Sequence, residues 1–206
     1  MVRQVLWTNM GHTSYLDAVR PCIAACTFHG VTAQLVVSVR NPYSFWRSLF
    51  TYAWVGVGSA LVFPRIPKVP SNPAVAQNVT TFAGFVRWGG AVHDARVSGD
   101  YRTQDYSQSV SLSAACGRPC RYDFLLRNEQ LGSDWLALLT ALELPLIALP
   151  HANPTGKQQN YERSIWVRKM GLPPPAVYTR ELVEIVDRTE KDVFEQFGYQ
   201  HEEVPS

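Results

Sequence analysis

At 206 residues, 46% of them hydrophobic and 17% charged, the chain can bury one sizeable core and reads as a single domain. A formal net charge of +2 excludes the broad basic field of a nucleic-acid-binding surface, yet leaves room for a local arginine or lysine cluster that holds a phosphate or sulfate group. No apolar run reaches the roughly eighteen residues of a membrane span, and residues 1–30 lack the basic, apolar and small-residue succession of a secretory signal, so a soluble chain is expected.

Residues 3–8 read as a short strand, and residues 14–26 as a helix with Leu16, Val19 and Ile23 three and four apart. After a turn at His29-Gly30, the run AQLVVSV over 33–39 has the near-continuous apolar character of a strand buried on both faces of a parallel sheet. Asn41-Pro42 then supplies a cap and a first helical residue, which predicts helix over 43–55. This strand, helix, strand, helix order implies an α/β fold with a parallel sheet and crossover helices. Prolines at 64, 67, 70 and 73 make 63–73 an extended surface loop. Residues 80–88 fit a short helix, whereas 89–119 is polar and weakly periodic and reads as an irregular insertion with one helix over 104–115. YDFLLR, over 122–127, is a second buried-strand pattern, followed by a helix over 133–142 with Trp135, Leu138, Leu139 and Leu142 on one stripe. Residues 144–149 are expected to form a last short strand, and 150–164 a polar, breaker-rich loop able to lie over a site. The chain closes with one amphipathic helix over 179–197, capped by Thr179, with Leu182, Val186, Val193 and Phe197 inward.

The four cysteines pair in sequence as Cys22 with Cys26 and Cys116 with Cys120, and neither pair has the CxxC spacing of a zinc or redox motif. Gly117 and Pro119 could bend the second pair into a bridged turn; four free thiols is the other reading. Asn78-Val79-Thr80 is a glycosylation sequon, which fits a secretory lumen.

The pattern with most chemistry is VVSVRNPYSFWRSLF, residues 36–50. A strand ends in Arg40, a helix begins at Asn41-Pro42, and Ser44 and Ser48 follow at steps of four. With the free N–H groups and dipole of the helix N-terminus, these residues can hold a phosphate. The alternative is an arginine at a strand end beside serines that face solvent.

An apolar strand running into Arg-x-Pro, with Ser48 six residues beyond Pro42, resembles the 3′-phosphate-binding motif of sulfotransferases that use 3′-phosphoadenosine 5′-phosphosulfate (PAPS). GHTSYLDA, starting at Gly11, is similar to the glycine-histidine segment of uronyl 2-O-sulfotransferases acting on glycosaminoglycans. YDFLLRNEQLGSDWLALLTALELP resembles the family's strand, glutamate and helix. LPHANPT, followed by YTRELVEIVDRTEKDVFEQFGY, is similar to the C-terminal ending of the broader Golgi-type group. The four segments occur in the family's order and cover most of the chain outside residues 56–120.

The resemblance implies a three-layer α/β sandwich around a parallel sheet, of the P-loop-NTPase-like sulfotransferase kind. It implies transfer of a sulfuryl group from PAPS, without a metal, to a hydroxyl of a carbohydrate acceptor in the Golgi lumen. His12 would be the general base that takes the acceptor proton, a task suited to an imidazole whose pKa lies near neutrality. A histidine that merely caps the helix beginning near Ser14 is the bland alternative, and His151 is a weaker candidate base. Arg40 and Ser48 would hold the 3′-phosphate, and Ser44 joins them on helical spacing. In the loop after the last strand, Lys157 and Arg163 point to the cofactor, and Asn153 and Thr155 to the acceptor. Glu129 and Asp134 match the family pattern and are read as holding the local fold. The insertion over 63–119 would shape the acceptor pocket.

Two features depart from the family. Its Pro-Lys-x-Gly loop, whose lysine and N–H groups hold the 5′-phosphosulfate, does not occur, and residues 8–14 carry asparagine where that lysine belongs. His12 precedes Arg40 too closely for the two nucleotide sites but suits the histidine segment, so the expectation is a sulfotransferase lacking its first strand and loop. Phe45 stands where many members have an arginine. A non-catalytic relative that binds a nucleotide or sulfated ligand is therefore the rival reading, while a P-loop kinase would need a glycine-rich lysine loop that is absent.

Overall fold

The computed structural model of the chain describes residues 4–8, 33–55, 79–98, 107–116, 119, 121–149 and 174–203. The expectations for 14–26, 63–73 and 150–164, for Cys22, Cys26 and Cys120, and for the sequon asparagine lie outside the described residues. In chain order the elements are β1 (Gln4–Thr8), β2 (Ala33–Val39), α1 (Pro42–Val55), α2 (Phe82–Val97), α3 (Gln108–Cys116), β3 (Phe124–Arg127), α4 (Leu131–Ala141), α5 (Arg180–Thr189) and α6 (Lys191–Phe197). They belong to two compact units interleaved along the sequence: Met1–Asn41, Tyr106–Pro150 and Asp192–Tyr199 form the first, and the remainder forms the second.

In the first unit the strands form an all-parallel sheet in the order β1-β2-β3, with Gln4 opposite Ala33 and Val36 opposite Phe124. Central β2 buries apolar residues on both faces, with Gln34 and Ser38 half-buried beside Val36, because helices cover both. Val36 packs with Leu126 and with Leu138 and Leu142 from α4 and its end, while Val37 and Val39 point the other way onto Leu112 of α3 and Val193 of α6. All of these side chains are buried, and each contributes about 1.5–3 kcal/mol relative to exposure. At the start of β3, Asp123 ties the edge to β2: its carboxylate accepts from Leu35 N–H at 2.7 Å and its own N–H donates to the Leu35 carbonyl at 2.9 Å.

Helix α4 begins earlier than the apolar stripe predicts, directly after a single 3-10 turn at Asn128–Gln130. It closes by a Schellman motif: Leu144 N–H donates to the Leu139 carbonyl and Glu143 N–H to the Thr140 carbonyl, with Glu143 at a φ of 56° where glycine is usual. The expected strand over 144–149 is absent. Pro145 removes a ladder donor, so the segment runs irregularly with Leu144, Leu146 and Ile147 exposed, tied down by Trp135 Nε1 donating to the Ile147 carbonyl at 3.0 Å.

The second unit is built on aromatic rings. Phe85 of α2 lies 6.0 Å from the Trp46 ring and 5.6 Å from the Phe50 ring, both on α1, and Tyr178 stacks edge-on against Tyr43 and Phe82. Thr81 starts α2, its hydroxyl accepting from Gly84 N–H at 3.1 Å. The expected helix end at 88 is overrun: α2 continues through Gly89-Gly90 to Val97, so the first part of the supposed irregular insertion is helical. A Cβ on Gly89 would stand 2.3 Å from the Trp46 ring, and one on Gly90 2.5 Å from Ile185 Cγ2. The glycines are points of close helix approach, not a stop. Gly89→Ala is therefore expected to lower stability by about 1–3 kcal/mol, overpacking outweighing the helical gain of alanine. Gly132→Ala in α4, where nothing lies within 4 Å of the added carbon, should raise stability by about 0.5–1 kcal/mol. Urea unfolding of the two variants should give shifts of opposite sign.

The closing helix is not one rod. Thr179 caps α5 by accepting from Leu182 N–H at 3.4 Å, but the helix breaks at Glu190, a buried carboxylate that accepts from Trp46 Nε1 at 3.0 Å. The backbone leaves helical geometry at Glu190, with φ −108° and ψ 21°, before α6 resumes at Lys191. On the surface of the second unit, Arg87–Glu181 and Arg188–Asp94 pair α2 with α5 at 2.6 and 3.0 Å. Exposed pairs of this kind contribute at most about 1 kcal/mol each. No helix among the described residues is long and apolar enough to cross a membrane.

Candidate functional site

Parallel strands end on one edge, and in open α/β sheets ligands bind outside those carboxyl ends. In the first unit this edge carries Thr8 at the end of β1, Arg40 directly after β2 and Arg127 at the end of β3. A strand end leaves backbone groups without ladder partners, and here side chains satisfy them. Gln108, the first residue of α3 and fully buried, takes both backbone groups of Arg40: Arg40 N–H donates to Oε1 at 3.0 Å, and Nε2 donates to the Arg40 carbonyl at 3.0 Å. Asn41 N–H donates to Glu129 Oε1 at 2.7 Å, and the Tyr199 hydroxyl donates to Glu129 Oε2 at 3.0 Å. Burial, reinforced by the charge of Glu129 and the hydrogen bond to it, pushes the Tyr199 phenol well above its ordinary pKa, so it remains a donor.

The two arginines of this edge differ. Arg127 is committed to Asp134: its N–H reaches Oδ2 at 2.8 Å, and Nε and a terminal nitrogen reach the two carboxylate oxygens at 3.2 Å. The guanidinium holds the Asp134 carboxyl below the usual carboxylate range, against the opposing effect of burial. Arg40, by contrast, has its Nε–H buried with no hydrogen-bond partner among the described residues. An unsatisfied buried donor costs about 1–3 kcal/mol, and an oxyanion is the acceptor that guanidinium geometry suits best. The arrangement is a strand end whose backbone is held by side chains and whose arginine has, among the described residues, a buried Nε–H without an acceptor.

Ser44 and Ser48 lie half-buried, one turn apart on α1 of the second unit, which the structure describes separately from the unit carrying Arg40. Phe45 is half-buried beside them, its ring 6.5 Å from that of Trp46. His12, His151, Asn153, Thr155, Lys157 and Arg163 lie outside the described residues. Glu129 and Asp134 hold backbone at the ends of β2 and β3, which accords with reading them as local-fold residues. Sequence reasoning missed Gln108 and the roles of Arg127 and Tyr199. Gln108 stands in a polar stretch without period, and Tyr199 was visible only as the last residue of the closing Phe-Gly-Tyr. Among the described residues no group of His, Cys, Asp and Glu is arranged to hold a metal ion. Comparison with protein-family models, with curated proteins and with solved structures found no match.

Proposed function

We propose that this chain is a PAPS-dependent O-sulfotransferase domain of the Golgi type, a three-layer sandwich that passes a sulfuryl group to a hydroxyl of a carbohydrate acceptor. The observation that carries the reading is Arg40, held by its backbone at the carboxyl end of the central strand with a buried Nε–H that has no partner among the described residues, in the Arg-x-Pro context of a 3′-phosphate site. The parallel sheet covered by helices on both faces, and the order of the four resembling segments, support it. The residues present fit the 3′-phosphate end of the nucleotide: a guanidinium offers the paired donors that a phosphate accepts. By the resemblance, His12 would take the proton from the acceptor hydroxyl, Ser48, Ser44, Lys157 and Arg163 would serve the cofactor, and Asn153 and Thr155 the acceptor.

Calorimetric titration with adenosine 3′,5′-bisphosphate tests the reading. Arg40→Ala should weaken binding by about 1.5–3 kcal/mol, the scale of a hydrogen bond to a charged group. Unchanged affinity would remove the assignment. A second reading, a non-catalytic relative that only binds the nucleotide, is favoured by one specific feature, the absence of Pro-Lys-x-Gly from these 206 residues. Its signature would be a chain that binds the bisphosphate and transfers no sulfate from PAPS to a glycosaminoglycan.

A further inference from the structure

We infer that Gln108 is a positioning residue of the anion site, setting the direction in which Arg40 leaves the sheet; the inference rests on reading Arg40 as the 3′-phosphate ligand. A carboxamide carries an acceptor and a donor on one planar group, so it can satisfy the N–H and the carbonyl of the same residue at once. Gln108 does so with both contacts at 3.0 Å, across a sequence gap that no local turn could bridge. It is itself fixed, since it opens α3 with its side chain buried between the buried Ser107 and Ser109. A buried amide with these bonds broken would be costly, so the pairing is enforced from both sides.

The consequence is for the guanidinium. With its N–H and carbonyl both held, Arg40 cannot rotate its backbone to follow solvent, and Glu129 holds Asn41 N–H next to it at 2.7 Å. The side chain therefore starts from one backbone conformation, and the conformational entropy of placing it is spent on folding instead of on ligand binding. The Arg127 guanidinium is instead forked to Asp134, so among the described residues of this edge the clamp acts on the arginine whose side chain is not paired in that way.

The test compares two nucleotides that differ only in the 3′-phosphate, adenosine 3′,5′-bisphosphate and adenosine 5′-monophosphate, on the full chain by calorimetry. Gln108→Met keeps length and volume and loses both hydrogen bonds. The wild type should prefer the bisphosphate, and Arg40→Ala should erase that preference. Gln108→Met should reduce it about ten-fold with monophosphate affinity unchanged, the equivalent of one hydrogen bond. The Arg40→Ala/Gln108→Met pair should be no worse than Arg40→Ala. Exchange of the Arg40 amide, followed by NMR, should quicken in Gln108→Met. A Gln108→Met chain that keeps the full preference would overturn the positioning role and leave the phosphate reading intact. Equal affinity of the wild type for both nucleotides would overturn the phosphate reading and this inference with it. If Gln108→Met does not fold, Gln108→Glu, which keeps the acceptor for Arg40 N–H and loses the donor, is judged by the same ratio.

Discussion

Phe85→Ala should lower the stability of the chain by about 3–5 kcal/mol, the range for deleting a buried aromatic ring. Phe85 has no exposed surface, and its ring is surrounded by those of Trp46, Phe50 and Trp88 at 6.0, 5.6 and 5.8 Å. The neighbours cannot easily close the space. Trp46 is pinned by its indole hydrogen bond to buried Glu190, and its ring already touches the backbone of α2 at Gly89. A cavity that cannot collapse keeps its full cost, and this cost compares with the 5–15 kcal/mol that stabilises a typical domain. Urea unfolding followed by tryptophan fluorescence checks the value; a loss below about 1 kcal/mol would mean that the two helices slide together and that the aromatic packing is soft.

The elements legible in the sequence are those whose cause is local. AQLVVSV predicts β2 to the residue because its apolar, β-branched run falls on both faces, and Pro42 marks the start of α1 because its ring suits the first helical turn. Thr179 is legible as a cap for the same reason. Apart from the strand expected over 144–149, which Pro145 interrupts locally, the misreadings involve a partner remote in sequence. Two adjacent glycines carry an intrinsic helix cost of about 1 kcal/mol each and so read as an end, yet Trp46 and Ile185 require that no Cβ stand there. The periodicity of residues 179–197 runs smoothly through Glu190, where the helix breaks at a buried carboxylate bonded to the indole of Trp46, remote in sequence. At the candidate site, Arg40 was visible from its strand end and from Arg-x-Pro. Gln108 was not, because nothing in the sequence around it says that its amide reads the backbone of a residue on another element.

On the sulfotransferase proposal, His12→Ala should reduce transfer to a carbohydrate hydroxyl by about 10²–10⁴-fold, the contribution of a positioned general base, with affinity for adenosine 3′,5′-bisphosphate unchanged. β1 ends at Thr8 on the same sheet edge that presents Arg40, and the chain leaves that edge four residues before His12. A base must be neutral to accept a proton, so wild-type transfer should fall towards acidic pH, and the alanine variant should lose that limb of the profile. The two quantities separate the competing roles of residues 8–14. Loss of nucleotide affinity together with transfer would assign the segment to the phosphosulfate, as a loop in which asparagine replaces lysine. Full transfer in His12→Ala would leave the histidine as a helix cap, and the proton would then have to leave through another group.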